Sequence, residues 1–210
     1  MRHRGYRGDR GLSVEQPRLL RLLPTDSIHR LIYPSAETPS TGINHGIDHG
    51  NMATSLGIQV QIAPPHIPAS SPPLSIPISV TVQNLNKTTP LTLLKWGTPF
   101  DPQANVLGIF HIHDKTDDVV VPLDTIKVSR LLPPRPDDLV EIAAGASVEN
   151  VVTLPRVPLT TGHEYTLQTS GFCQAAWRLP LEDVKMDRLE KFQDTERVEY
   201  SSNVVSLQVD

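Results

Sequence analysis

The chain has 210 residues, with 20 prolines against 12 glycines, 38% hydrophobic residues and a formal net charge of −4. Proline lacks a backbone donor and fixes φ, so this load leaves few windows for a helix and argues against a helical bundle. Residues 1–51 carry seven arginines, no lysine and five acids, while the rest carries 12 basic and 18 acidic side chains, a balance that disfavours a phosphate-binding surface and hence nucleic acid.

Residues 1–51 read as a disordered N-terminal extension that need not belong to the native protein. Arg2-His3-Arg4-Gly5-Tyr6-Arg7-Gly8 is basic and glycine-rich, and Pro34 to Gly42 has linker composition. Met52 reads as the start of a single domain over residues 52–210. No apolar leader precedes it, no apolar run approaches about 18 residues, and Cys173 is the only cysteine. A lone thiol suits a reducing compartment, so a cytoplasmic, intracellular location is expected, without membrane association.

From Ile58 the hydrophobic period becomes two. Ile58, Val60 and Ile62 alternate with Gln59 and Gln61, and Leu74, Ile76, Ile78, Val80 and Val82 alternate with polar residues and Pro77. Pro77 predicts a sheet edge or a bulge. Further strands are predicted at Leu91–Trp96, Leu107–His113, Val119–Leu123, Ile126–Leu131, Leu139–Ile142, Val148–Leu154, Glu164–Thr169 and Asn203–Val209. Asp114 to Asp118 would connect a hairpin. Pro180 to Glu199 departs from this pattern: Leu181, Val184, Met186, Leu189 and Phe192 fall near helical spacing, so a short helical or irregular insertion is predicted before the last strand. Short strands with turn signals every eight to twelve residues predict an all-β fold.

Pro158 to Leu167 refines this to an immunoglobulin- or fibronectin-like antiparallel β-sandwich. Gly162 permits a sharp turn and Tyr165, opening a late strand, is placed to return its hydroxyl to upstream backbone as a tyrosine corner. Trp96 and Trp177 are candidates for aromatic core filling.

Leu94-Lys95-Trp96-Gly97-Thr98-Pro99-Phe100-Asp101, followed by Leu107-Gly108-Ile109-Phe110, then Arg130-Leu131, Asp138 to Gly145 and Ser202-Asn203-Val204-Val205, resembles the N-terminal, propeptide-like region of fungal deuterolysin-type and peptidyl-Lys metalloendopeptidases. The likeness spans about Leu74 to Val209. It implies a propeptide-like domain without the zinc catalytic domain. No His-Glu-x-x-His is present, so peptidase activity does not carry over.

His111 and His113 share one strand face and form a candidate metal pair, with Asp114 or His163 to assist. Solvent-facing histidines are the competing reading. Cys173 needs a neighbouring base to act as a nucleophile, and burial is the ordinary fate of such a residue. Paired carboxylates such as Asp117 and Asp118 sit in loops and diverge. No glycine-rich phosphate cradle or Gly-x-Ser-x-Gly elbow occurs, so no catalytic residue is assigned, no cofactor is expected, and the reading leans away from an enzyme.

The leading expectation is a non-catalytic module that binds or regulates a protein, a peptidase foremost, through Trp96, Thr98, Phe100, Asp101 and Arg135 on exposed loops. A homodimer is one assembly this allows. The alternative is a small-molecule binding protein, or an accessory isomerase or cyclase of a fungal biosynthetic pathway, with a pocket lined by Trp96, Phe110, His111, His113 and Trp177.

Overall fold

The structure is a computed structural model and describes residues 56–65, 67 and 73–209. The expectations for residues 1–51 and for Met52 lie outside these residues. Ten strands occur among them: β1 (Ile58–Ile62), β2 (Leu74–Asn84), β3 (Leu91–Leu94), β4 (Phe110–Asp114), β5 (Val119–Val120), β6 (Leu139–Ile142), β7 (Ser147–Val157), β8 (Glu164–Trp177), β9 (Glu196–Ser201) and β10 (Val205–Gln208). One α-helix, α1 (Met186–Lys191), precedes β9.

Strands β1, β2 and β7 form an antiparallel three-stranded sheet with β2 in the middle. The second sheet is organised by β8, whose fourteen residues pair along both edges. Its first half lies between β4 and β10, and its second half between β3 and β9; β5 and β6 extend the sheet outward. Alternating side chains of the two sheets meet in one interior, from Ile76, Ile78 and Val80 of β2 to Ile112 of β4 and Leu167 of β8. This is the antiparallel immunoglobulin-like sandwich that the alternation predicts.

Pro77 faces solvent in the central strand, opposite Thr153 of β7. It is tolerated because the β1 register ends at Val80, three residues short of it, and a register shift lies between Leu74 and Ile76.

Strand β3 does not alternate, because it is covered on both faces. Leu91 and Leu93 enter the main core, while Leu94 joins a second cluster with Trp96, Leu139, Ala175, Trp177, Val184 and Leu189. The predicted insertion supplies Val184 and Leu189 to that cluster. Phe192 closes α1 in the left-handed region at φ 49°, and the Trp177 indole donates to the Gln193 carbonyl at 3.0 Å. Trp96 and Trp177 are thus both core-filling, as one of their two expected roles.

Several elements differ from expectation. Strand β8 runs on to Trp177, through Gly171, where a Cβ would stand 2.9 Å from the Tyr200 hydroxyl. That glycine allows a close approach and does not end the strand. Strand β9 lies in the charged segment assigned to the insertion, with Val198 and Tyr200 inward. Residues 126–131 form no strand; they belong to an irregular stretch, residues 121–138, that bonds to the body through the Ile126 amide and the Val106 carbonyl at 2.9 Å. Residues 107–109 likewise turn at Gly108, φ 72°, and β4 begins only at Phe110.

Ile78 is fully enclosed and Val151 is 59% exposed on the neighbouring strand. Ile78→Ala is expected to lower unfolding free energy by about 2–5 kcal/mol, and Val151→Ala by no more than about 0.5. Urea denaturation of the two variants checks this.

Candidate functional site

The β3–β4 connection was expected to expose a contact surface; the structure corrects this. Trp96, Thr98 and Asp101 are all buried, and Phe100 is half-buried against the main core. The polar members are buried because each is fully partnered. The Thr98 hydroxyl donates to the Lys95 carbonyl at 2.7 Å and accepts from the Phe100 amide at 3.2 Å. The Asp101 carboxylate accepts from the Gly97 amide at 3.0 Å and the Gln103 amide at 2.9 Å, and pairs with the Arg130 guanidinium. Arg130 also lies over the Trp96 ring, 5.7 Å from its centroid. A carboxylate with no exposed side-chain surface persists only if paired and hydrogen-bonded, and Asp101 is both.

Arg135 does reach solvent, at the start of a 3-10 turn over Pro136–Asp138. Burial pushes the Asp138 carboxyl upward, but the Arg135 amide, the Trp96 side chain and the Arg135 charge together hold it below the ordinary value. Of the five expected contact residues, only Arg135 and part of Phe100 are therefore open to a partner.

What the buried group does is fix residues 121–138 as a strap across the surface. The strap starts at buried Val121, whose amide donates to Ile112 at 2.9 Å, is pinned by Asp124 to Arg156 at 2.6 Å, and is drawn inward at Arg130. Leu123 packs against the main core, but three other apolar side chains point out: Leu131 is 90% exposed, Leu132 64% and Ile126 50%. Val119 and Val120 of the two-residue edge strand β5, immediately before it, are also exposed. Five large apolar groups over residues 119–132 is more than scattered surface chance supplies, and such concentrations mark contact sites. Sequence reasoning missed them by placing residues 126–131 in a strand, where alternate side chains would face inward.

Among the described residues, His111 and His113 belong to no cluster of three potential metal ligands. His111 and His113 share the outer face of β4, yet the His111 ring meets the Ser170 hydroxyl at 3.0 Å and His113 meets Asp118 at 3.3 Å. Each has its own partner. Instead Asp114, Asp117 and His163 bring three ligand atoms within 4.8 Å of one another. Asp114 is already committed there as a structural acceptor. It takes the Thr116 and Asp117 amides at 2.8 and 3.2 Å, closing the β4–β5 turn, and meets His163 Nδ1 at 2.8 Å.

Beside this pair, the Tyr165 hydroxyl accepts from the Thr160 amide at 2.7 Å and lies 3.3 Å from the Thr160 carbonyl. Gly162, at φ 81°, makes the intervening turn. That is the hydrogen bonding a tyrosine corner requires.

The aromatic residues expected to line one pocket lie in separate surroundings. Phe110 belongs to the main core, Trp96 and Trp177 to the second cluster, and His111 to the exterior. A cleft between the sheets, lined by Val60, Val82, Leu93, Phe100, Cys173 and Tyr200, has a volume of about 20 Å³. That suffices for about one water molecule. Cys173 is buried, its thiol pushed up to about 12 by burial, and it donates to the Ala175 carbonyl at 3.4 Å. It is not a poised nucleophile.

Two measurements test these contacts. Arg130→Met leaves the Asp101 carboxylate uncompensated and is expected to cost about 3 kcal/mol in urea denaturation. The hydrogen bond to Asp114 raises the His163 pKa, while burial of Asp114 is outweighed by its bonds to His163 and to backbone amides, lowering its own. The pair's stabilisation is therefore complete between the ordinary values, 3.8 and 6.5. It fades as pH falls through the depressed Asp114 value, and again as pH rises through the elevated His163 value. The melting-temperature gap between wild type and His163→Gln should be widest in that window; a gap independent of pH would show that the pair does not titrate.

Comparison with known proteins adds three findings. The immunoglobulin-like domain family matches residues 65–209. A fungal protein of Arthroderma benhamiae, named "Uncharacterized secreted protein", is 39% identical over 156 residues, covering 73% of this chain and 78% of that one. Among solved structures, the yjhA protein from Bacillus subtilis is similar over 73% of this chain and 92% of its own, at 13% identity and a TM-score of 0.27, too slight a likeness to carry an argument. The fungal relative's name overturns the cytoplasmic, intracellular location expected from the cysteine count. A sandwich whose core closes without a cross-link has no need of a disulfide, so a lone buried thiol does not report the compartment.

Proposed function

Because the chain belongs to the immunoglobulin-like domain family, we propose that it is a non-catalytic interaction module that works outside the cell and binds a protein through the strap and β5. The observation that carries this reading is the outward display of Val119, Val120, Ile126, Leu131 and Leu132 on a segment held by Arg130 and Arg156. Apolar side chains on a fixed backbone lose little conformational freedom on binding, so more of their burial appears as affinity. Strand β5, only two residues long, offers little edge for another strand to join, which favours contact through side chains.

The extracellular placement draws on the name of the Arthroderma relative. A metallopeptidase is the partner class to test first, because the resemblance to a propeptide-like region extends through Arg130-Leu131, at the centre of the strap. The small-molecule alternative is the weaker reading, since the cleft between the sheets, at about 20 Å³, falls an order of magnitude below the roughly 300 Å³ at which ligand pockets begin.

Chemical cross-linking in fungal culture filtrate, followed by mass spectrometry, tests the reading. Wild-type protein should capture a defined partner, and the double substitution Leu131→Ser, Leu132→Ser should weaken that capture at least about tenfold while leaving stability within about 0.5 kcal/mol. Equal capture by both proteins would remove the strap from the interface. Absence of the native chain from the filtrate would refute the extracellular placement.

A further inference from the structure

The β2–β3 connection carries Asn86-Lys87-Thr88, an Asn-x-Thr triplet without a central proline. Two asparagines build this turn and use their amides differently. Asn84 is fully buried: its Nδ2 donates to the carbonyls of Thr89, Ile142 and Ala143 at 2.9, 3.2 and 3.3 Å, and its Oδ1 accepts from the Asn86 amide at 3.0 Å. Asn86 is half-buried, and Lys87 and Thr88 are exposed. The Asn86 Oδ1 accepts from the Thr88 amide at 2.9 Å, the Thr88 hydroxyl at 3.0 Å and the Thr89 amide at 3.1 Å. Its backbone carbonyl accepts from Gly145 at 2.7 Å. The oxygen end of Asn86 holds the turn together, whereas its Nδ2 makes no hydrogen bond among those to described residues.

We propose that Asn86 is an N-glycosylation site, with an oligosaccharide attached to Nδ2; this rests on the extracellular placement proposed above. The donor class is an oligosaccharide carried on a polyprenyl pyrophosphate. A bond forms from Nδ2 to the anomeric carbon as the bond from that carbon to the pyrophosphate oxygen breaks. The pyrophosphate leaves with the bonding electron pair and takes up the proton that the amide gives away. No oxidation or reduction is involved. The three hydrogen bonds to Oδ1 survive the substitution at nitrogen, so the turn keeps its geometry in the modified protein. The glycan then extends from a connection outside both sheets, where its hydrophilic bulk displaces no core contact.

The test is expression of the full chain behind a secretory leader in yeast, with treatment of the secreted product by peptide-N-glycosidase. Wild type should appear as a heavier species that the enzyme converts to the unmodified size, leaving aspartate in place of the Asn86 amide. Asn86→Gln and Thr88→Ala should abolish the heavier species, and Thr88→Ser should retain it. Secretion of wild type without modification would overturn the inference and leave the extracellular reading intact. A glycan that persists in Asn86→Gln would also overturn it.

Discussion

The Asp101 carboxylate has no exposed side-chain surface, and much of the surrounding architecture follows from the need to partner it. An ion in a low-dielectric interior is tolerated only with close partners, and here two backbone amides and a guanidinium supply them. The amides come from the β3–β4 connection, so that connection is bent back on itself. The guanidinium comes from Arg130, 29 positions along the chain, and reaches the acid only if the strap lies against the sandwich. Trp96, beneath the same guanidinium, joins this charge centre to the second apolar cluster. A segment with no strand partner and many prolines thereby acquires a fixed course, and with it a fixed presentation of Leu131 and Leu132.

Sequence patterning was most legible where one rule operated alone. In β2, polar and apolar residues alternate because one face is dry and the other wet, and its boundaries follow directly. Where two demands met, the pattern misled. Strand β8 was expected only over Glu164–Thr169; the role of Gly171 beyond it, room for the Tyr200 ring, depends on a strand distant in sequence and leaves no local signal. Strand β9 was hidden because Glu196, Arg197 and Glu199 outweighed the two inward residues, Val198 and Tyr200. The burial of the β3–β4 connection was hidden for a related reason. Trp96, Thr98 and Asp101 have the composition of a loop that greets a partner, and nothing local says that Arg130 will bury the acid. His111 and His113 were correctly placed on one face, but their separate partners, Ser170 and Asp118, come from β8 and the hairpin turn.

The surface divides into parts with different tasks. Around the β4–β5 turn, Asp114 serves the fold first, closing the turn and receiving His163, so the titratable groups there couple stability to acidity. At the β3–β6 end, the insertion caps Trp177 and removes an apolar face from water. The strap is the place where apolar groups stay outside after these needs are met. That difference, between apolar groups the fold covers and those it leaves uncovered, sets the strap apart from the rest of the surface.

The first and last parts of the described domain are clasped together. The Asn203 side chain donates to the Ile62 carbonyl at 3.0 Å and accepts from its amide at 2.8 Å, while Val60 and Ser202 form a parallel bridge. Tension applied through the two chain directions would pull these parallel neighbours past each other lengthwise, so their bonds would share the load rather than open one after another.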